Sequence, residues 1–485
     1  MKDKYEAVIG LEVHAQLKTK TKMFCGCKNE FTNEPNIHVC PVCLGMPGSL
    51  PVINKKAVEL AVKAALALNC KIHKKSIFAR KHYFYPDLPK NYQITQYEEP
   101  FATDGYLIIE KKDGTKKKIR IKRIHMEEDA GKNIHEEHFS KVDLNRAGVP
   151  LIEIVSEPDI SDPEEARLYM QKLRDILVWI GVTDGNLEEG SLRCDANVSI
   201  RPKGSKELGT KVEIKNLNSF RFIEKALRYE INRQIEAVKK GEKIIQETRL
   251  YDSQKDITKS MRTKEEAEDY RYFPDPDLPP LIIEDEWLEE IKASLGELPD
   301  EFKERVIKEY KIKEYDVDIL SRDKTLAYFF EEAAKSYKGE AQRVSNIILS
   351  DLLGILKEEK IELKDVPFPA SYIGELLNLV DENIISLRVA KEEVLPEMVK
   401  TGKSPKVIVE EKGLKQISDT SEIEKIIKEA FKNNPKAVKQ YKIGDERKKQ
   451  KAVQFFIGQV MKATKGKANP KLARDLIIKL LEEEN

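Results

Sequence analysis

The sequence predicts an α+β amino-terminal part built on an antiparallel sheet, followed by an all-helical carboxy-terminal part. Three observations predict it. Several segments within the first 290 or so residues alternate apolar and polar with period two; from about Leu298 apolar residues recur at helical spacing with few glycines; and a strongly basic helical stretch lies near the end. With 485 residues the chain has room for about three domains, which we place at 1–292, 293–405 and 406–485.

Composition removes several classes of function. Lys and Arg total 85 against 84 Asp and Glu, so a net charge of +1 gives no global field for holding nucleic acid or an anionic membrane, and any such partner must be met locally. The first residues, Met1-Lys-Asp-Lys-Tyr-Glu6, lack the apolar core of a secretory signal, and no long uncharged apolar run follows. The expectation is a cytoplasmic protein. Six cysteines are too few for a disulfide scaffold, and four of them lie between positions 25 and 43, which points to a metal in a reducing compartment.

In chain order, Ile9-Gly-Leu-Glu-Val-His-Ala-Gln-Leu17 alternates strictly. As a strand it turns Ile9, Leu11, Val13, Ala15 and Leu17 to a core and sets Glu12, His14 and Gln16 on the other face. Next come two short hooks, Cys25-Gly-Cys27 and Cys40-Pro-Val-Cys43, with the spacing of a tetrahedral zinc site. Four thiolates leave no open coordination position, so a metal there is structural; the alternative is a group of buried thiols. Helices are expected at Ala57 to Leu68 and Pro163 to Ile180, with a dense acidic turn at His125-Met-Glu-Glu-Asp-Ala-Gly-Lys132 between them.

Leu192 to Arg201 repeats the alternation, with Arg193, Asp195, Asn197, Ser199 and Arg201 outward, and Lys211 to Lys215 sets Glu213 between two lysines. Taken singly, each segment reads as a half-solvated antiparallel strand. Taken together they describe one polar sheet face able to gather carboxylates and an imidazole around a hard divalent cation, and magnesium chemistry on a nucleotide is the natural inference. Phosphoryl transfer asks a protein mainly for positioning and charge stabilisation, so no serine or cysteine nucleophile is needed.

Tyr83-Phe-Tyr-Pro-Asp-Leu-Pro89 is echoed in Tyr270-Arg-Tyr-Phe-Pro-Asp-Pro-Asp-Leu-Pro279, too briefly to establish a duplication. Further helices are expected at Glu301 to Lys311, Lys324 to Ser336 and Glu340 to Leu356. From Lys432 to Arg474 there are 13 Lys or Arg against Asp445 and Glu446. Lys448, Lys449, Lys462, Lys465 and Lys467 are therefore candidates for a phosphate backbone, unless the stretch is only a solvated helical surface. Two standard motifs fail: Gly402-Lys-Ser404 has Glu397 where a P-loop needs glycine, and His135-Glu-Glu-His138 spaces its histidines three apart, which reads as an exposed turn.

Five segments together carry a resemblance: Gly10 to Leu17, Tyr83 to Ile94, Asp143-Leu-Asn-Arg-Ala-Gly-Val-Pro-Leu-Ile-Glu-Ile-Val155, Gly190-Ser-Leu-Arg-Cys-Asp-Ala-Asn-Val198 and Asp269-Tyr-Arg-Tyr-Phe-Pro274. In this order they resemble the GatB family, the B-type components of aspartyl/glutamyl-tRNA amidotransferases, over essentially the whole chain. The resemblance implies a cradle domain related to glutamine synthetase, then a helical domain and a tail domain. It implies ATP-dependent phosphorylation of the side-chain carboxylate of Glu on tRNA(Gln) or Asp on tRNA(Asn), followed by amidation with ammonia. It assigns magnesium to Glu12, His14 and Glu127, completed by Asp195 and one of Glu188 or Glu189. Arg193, Asn197 and Lys215 become candidates for contacting ATP, and Cys25, Cys27, Cys40 and Cys43 match the zinc-bearing members. A separate amidase subunit, a small third subunit and tRNA are the implied partners, since no glutamine-hydrolysing nucleophile is recognisable here. Pro280 runs into the helical section without the extra domain of the related archaeal protein. The competing readings are a non-enzymatic zinc-containing RNA-binding protein and a metal-dependent hydrolase.

Overall fold

A computed structural model describes residues 4–263, 269–415, 420–444, 446–464 and 468–483. The chain divides into two compact units, Met1–Pro299 and Asp300–Asn485.

The strands of the first unit are β1 (Tyr5–Gln16), β2 (Lys71–Ile72), β3 (Lys75–Ser76), β4 (Ala79–His82), β5 (Tyr92–Thr95), β6 (Ala102–Glu110), β7 (Lys116–Glu128) and β8 (Lys132–His135). They continue with β9 (Ser140–Asp143), β10 (Pro150–Ser156), β11 (Leu192–Pro202), β12 (Val212–Lys215), β13 (Glu247–Asp252), β14 (Ile257–Thr263), β15 (Phe273–Pro274) and β16 (Leu281–Ile282). The helices are α1 (Lys55–Ala67), α2 (Pro163–Trp179), α3 (Phe220–Lys239) and α4 (Asp285–Leu295). Nine strands form one sheet in the order β14-β13-β12-β11-β1-β10-β7-β6-β2. Its pairs are antiparallel except β12 with β13, which run parallel. The mixed sheet with a helical region after it is the α+β arrangement that the alternation predicts.

One face of this sheet is apolar because every second residue is. Leu11, Val13, Ala15, Ile124, Met126, Ile152, Ile154, Ala196 and Val198 are fully buried, and α1, α2 and α3 pack beneath them. Each helix begins at a side-chain cap, Asn54 for α1, Asp162 followed by Pro163 for α2, and Ser219 for α3. Glu165 in the first turn of α2 accepts from the Ser161 amide and from Lys117 Nζ at 2.6 Å, while Lys111 Nζ lies 2.6 Å from its other oxygen. That contact fixes α2 to the β6–β7 hairpin. The opposite face of the sheet carries the polar residues.

The expected acidic turn is corrected in part: His125 to Glu128 belong to β7, and only Asp129 to Gly131 turn. A register shift between Val155 and Ser156, where β10 meets β7, brings Ile121 as well as Ile124 to the apolar side. The two echoed segments lie side by side, since β15 pairs with β4 and Tyr270 sits edge-on to Tyr83.

The second unit is helical. Lys324–Ser336 starts at Asp323, whose carboxylate caps Leu326 N at 2.9 Å. The predicted helix at Glu340 to Leu356 is observed as Ala341–Asn346, a π-helical turn over Ile347–Leu352, and Leu353–Glu359. Helices Thr420–Asn433, Glu446–Ala463 and Pro470–Glu483 share a core around Ile427, Phe431, Phe456, Val460 and Ile477, in which Phe431 meets Phe456 edge to face. No helix of the described residues is long and apolar enough to cross a membrane.

Candidate functional site

Register alone brings the polar side chains together. Across β11, β1, β10 and β7 the partner pairs are Asp195 with Glu12, His14 with Glu153, and Glu153 with His125. A cleft of about 290 Å³ opens over this face, with Lys81, Thr95, Tyr97 and Tyr272 on its far wall. Tyr97 and Tyr272 stack with centroids 4.0 Å apart, which joins the β4–β5 region to the second echoed segment.

At the floor, His14 Nε2 lies 3.4 Å from Glu153 Oε2 and 3.5 Å from Glu127 Oε1. His125 Nε2 flanks the same two carboxylates at 3.1 and 3.5 Å, and Thr95 Oγ1 donates to Glu127 Oε2 at 3.2 Å. Burial by itself would raise the Glu153 carboxyl, yet the two imidazoles hold it well below its ordinary range. Burial likewise opposes charge on His125, but Glu153 and Glu127 raise it to about 9, and His14 is raised by the same neighbours against the same penalty.

Towards β12, Asn197 Nδ2 donates to Glu12 Oε1 at 2.8 Å and Lys215 Nζ to Asp195 Oδ2 at 3.2 Å. Glu12 is pushed up by burial and then by the carboxylates of Glu153, Asp195 and Glu213. The floor thus concentrates negative charge that a divalent cation would relieve. Ligand atoms of His14, Glu127 and Glu153 lie within 4.8 Å of one another; the two carboxylates are the hard oxygen donors that magnesium would take, and His14 would join them on giving up the proton that its carboxylate neighbours favour. Glu12 and Asp195 stand beside this group on the same face.

Other expected residues fall elsewhere. Arg193 Nη2 donates to Asp129 Oδ2 at 2.9 Å, and Gln16 Nε2 to the same oxygen at 3.0 Å, so Arg193 holds the end of β7 in place. Glu188 and Glu189 are exposed in a turn whose amides bond to Asn186 Oδ1, and neither lines the cleft. Lys448 and Lys462 are exposed on Glu446–Ala463, and Lys449 Nζ sits over the Tyr441 ring. Lys465 and Lys467 lie outside the described residues.

The four clustered cysteines converge: one sulfur from each of Cys25, Cys27, Cys40 and Cys43 lies within 4.8 Å of the others. The Cys40 amide donates to Cys43 Sγ at 3.2 Å. A hydrogen bond from Cys25, with further help from Lys22, pulls the Cys43 thiol down, while that same bond pushes Cys25 up and burial pushes Cys27 up to about 11, so without a metal the crowded sulfurs share protons and a cation would have to displace them. Four sulfurs at such spacing fit zinc in a closed tetrahedral site.

Sequence reasoning did not single out Glu153 or His125 as ligand-shell residues. The signal for Glu153 was present, because a lone carboxylate inside Pro150-Leu-Ile-Glu-Ile-Val155 is costly unless it has partners. His125 was hidden by reading its segment as a turn.

The sequence resembles those of known proteins. Residues 7–289 match the family model of the GatB/GatE catalytic domain, and residues 328–481 match that of the GatB domain. The chain is 58% identical over 478 residues to the B component of the aspartyl/glutamyl-tRNA(Asn/Gln) amidotransferase of Persephonella marina, covering 99% of this chain and 100% of that one. To the protein of the same name from Thermodesulfovibrio yellowstonii it is 60% identical over 480 residues, covering 99% and 100%. To that of a Thermoanaerobacter species it is 57% identical over 475 residues, covering 98% of each. With the catalytic-domain model matched across the whole sheet that carries the cleft, the chain belongs to the GatB/GatE family.

Proposed function

We propose that this chain is the B component of a tRNA-dependent amidotransferase, and that its sheet-face cleft activates the side-chain carboxylate of Glu on tRNA(Gln), Asp on tRNA(Asn), or both. The observation that carries the reading is the convergence of His14, Glu127 and Glu153 on one polar face beside Glu12 and Asp195. Magnesium held by His14, Glu127 and Glu153, with Glu12 and Asp195 alongside, would screen the phosphates of ATP and polarise the transferring group.

The chain's own residues then do three things. Lys81 and Lys215 line the cleft and offset phosphate charge. Asn197 orients Glu12, and Arg193 fixes β7 through Asp129 rather than reaching into the cleft. His125 aims Glu127 and Glu153. A carboxylate oxygen of the substrate attacks the γ-phosphorus as ADP departs; ammonia then attacks the carbonyl carbon and phosphate leaves. Activation of a carboxylate followed by amidation is the chemistry of glutamine synthetase, and a relation of the first unit to that enzyme is part of the proposal.

Neither cysteine outside the cluster suits a thiol nucleophile for glutamine hydrolysis. Burial pushes the Cys70 thiol up to about 12 and that of Cys194 well above its ordinary value, while the other four thiols cluster together. In this reading ammonia comes from an amidase subunit, with a small third subunit joining the two, as the resemblance to B-type amidotransferase components implies. Zinc on the four cysteines stabilises the local fold, and the assembly works in the cytoplasm. The first domain ends near Pro299, after α4, and not at 292, which would cut that helix. The boundary expected at 405 falls at the start of the helix Pro405–Glu411, so the tail that holds tRNA begins beyond that helix.

The test is magnesium-dependent ATP turnover stimulated by misacylated tRNA, measured for the chain assembled with its partners. Glu12→Gln keeps shape and removes charge. Its turnover is expected to fall at least about 100-fold, the loss associated with a ligand or close electrostatic partner, and normal transamidation by this variant would overturn the assignment.

A further inference from the structure

Lys22 is fully buried, an unusual place for an ammonium group. Its Nζ donates to the His38 carbonyl at 2.6 Å, to the Leu144 carbonyl at 3.3 Å and to Cys43 Sγ at 3.7 Å. Among the described residues no carboxylate forms an ion pair with it, and the Cys43 sulfur is its anionic neighbour. Four thiolates around a zinc dication carry a net charge of −2, so the ammonium has a counter-charge when the metal site is filled.

The Leu144 carbonyl opens a short loop that reaches the catalytic face by continuous hydrogen bonds. Met23 N donates to the Gly148 carbonyl at 2.8 Å, Gly148 N to the Asp129 carbonyl at 2.9 Å, and Asp129 N to the Val149 carbonyl at 2.8 Å. Arg146 Nε and Nη2 donate to the carbonyls of Ala130 and Gly131 at 2.9 and 2.7 Å. Gly148 has φ +87°, and a Cβ there would meet Lys22 Cδ at 3.4 Å and Cys43 Cβ at 3.5 Å, so lysine, metal hook and loop pack as one body. Asp129 is two residues from Glu127 and anchors Arg193.

We propose that Lys22 is a positioning residue that couples zinc occupancy of the Cys25–Cys43 site to the order of residues 144–149 and, through them, of residues 127–131 beneath the cleft. The coupling rests on zinc at the four cysteines and not on the tRNA chemistry.

The experiment uses the full-length chain and begins with its zinc content. Wild type and Lys22→Met, which keeps length and loses charge, are compared for zinc release to a chromogenic chelator and for hydrogen exchange with zinc bound and removed. Lys22→Met is expected to release zinc at least about tenfold faster, as for other outer-shell partners of metal ligands. Removing zinc from wild type is expected to raise exchange in 144–149 and 127–131 while α2 stays protected. In Lys22→Met the same segments are already raised with zinc bound, and zinc removal adds little. Lys22→Arg should restore slow release. Equal release rates in wild type and Lys22→Met, or wild-type exchange in 127–131 that ignores zinc removal, would overturn the coupling while leaving the zinc site itself intact. A zinc-free wild-type chain would overturn the zinc reading and the coupling with it. The chelation arm on wild type needs no variant, so a Lys22→Met protein that fails to fold does not remove the test.

Discussion

Replacing Glu165 by glutamine tests how the sheet is held on its helices. The carboxylate is 2% exposed, receives Lys111 and Lys117, and caps Ser161 N. Burial would raise it, but hydrogen bonds from Lys111 and Lys117 outweigh burial and hold it down to about 2, against 4.5 for a free glutamate. A depressed carboxyl pKa stabilises the fold fully above the unfolded value and is lost as pH falls through the folded one. A shift of this size corresponds to about 3 kcal/mol at neutral pH. The lysine ends are partly hydrated, so about 2 to 3 kcal/mol is expected after screening. By linkage, about 1 kcal/mol of this has gone by pH 4 and about 2 kcal/mol by pH 3. Both tryptophans, Trp179 and Trp287, belong to the first unit, so urea unfolding followed by their fluorescence reports on that unit alone. Glu165→Gln should unfold at lower urea at pH 7, with the gap to wild type narrowing at pH 4. A gap below about 0.5 kcal/mol at pH 7, or one that widens on acidification, would refute the reasoning.

Further outcomes are expected. Glu153→Gln should abolish tRNA-stimulated ATP turnover while tRNA affinity measured by filter binding stays within about twofold, because the change lies at the cleft floor; unaltered turnover would remove Glu153 from the ligand set. Replacing Lys448, Lys449 and Lys462 together by alanine should lower the log–log salt slope of tRNA binding by about 2 to 3, and an unchanged slope would make that helix a structural appendage. The chain assayed without its partners should use ammonium but not glutamine, and glutamine use should return with the amidase subunit; robust glutamine-dependent amidation by the single chain would overturn that division.

Much of the fold was legible because burial on one face enforces period two. The alternation from Ile9 to Leu17 and from Leu192 to Arg201 reads directly as β1 and β11, and their pairing follows from both needing the same apolar cover. Helix starts were legible where a cap precedes an amphipathic run, as at Asp162-Pro163. The β7 segment was not legible, because Arg120-Ile-Lys-Arg-Ile-His-Met contains an extra residue that breaks the alternation. A bulge of that kind is stabilised by tertiary pairing, which no local window contains. Likewise the π-helical turn at Ile347–Leu352 leaves the apolar spacing of its helix intact and so has no sequence signature.

The site was legible by residue type and only partly by membership. Glu12, His14 and Asp195 announce themselves as polar residues in phase on strands that are otherwise apolar, and the sheet register then puts them together. Glu127 and Glu153 come from strands two and one places away, so their approach to His14 depends on strand order, a property of the whole sheet. The same dependence explains Arg193: its phase on β11 points it to the catalytic face, but Asp129 at the end of β7 is close enough to claim it. Phase decides which face a side chain takes, and competition among charges on that face decides its partner. Replacing Asp129 by asparagine should therefore release Arg193 toward the cleft carboxylates and weaken ATP-dependent turnover without touching a ligand. If Arg193 is instead an ATP contact in its own right, Arg193→Lys at wild-type Asp129 should raise KM for ATP with kcat little changed, whereas a purely positioning arginine would lose kcat as the end of β7 loosens.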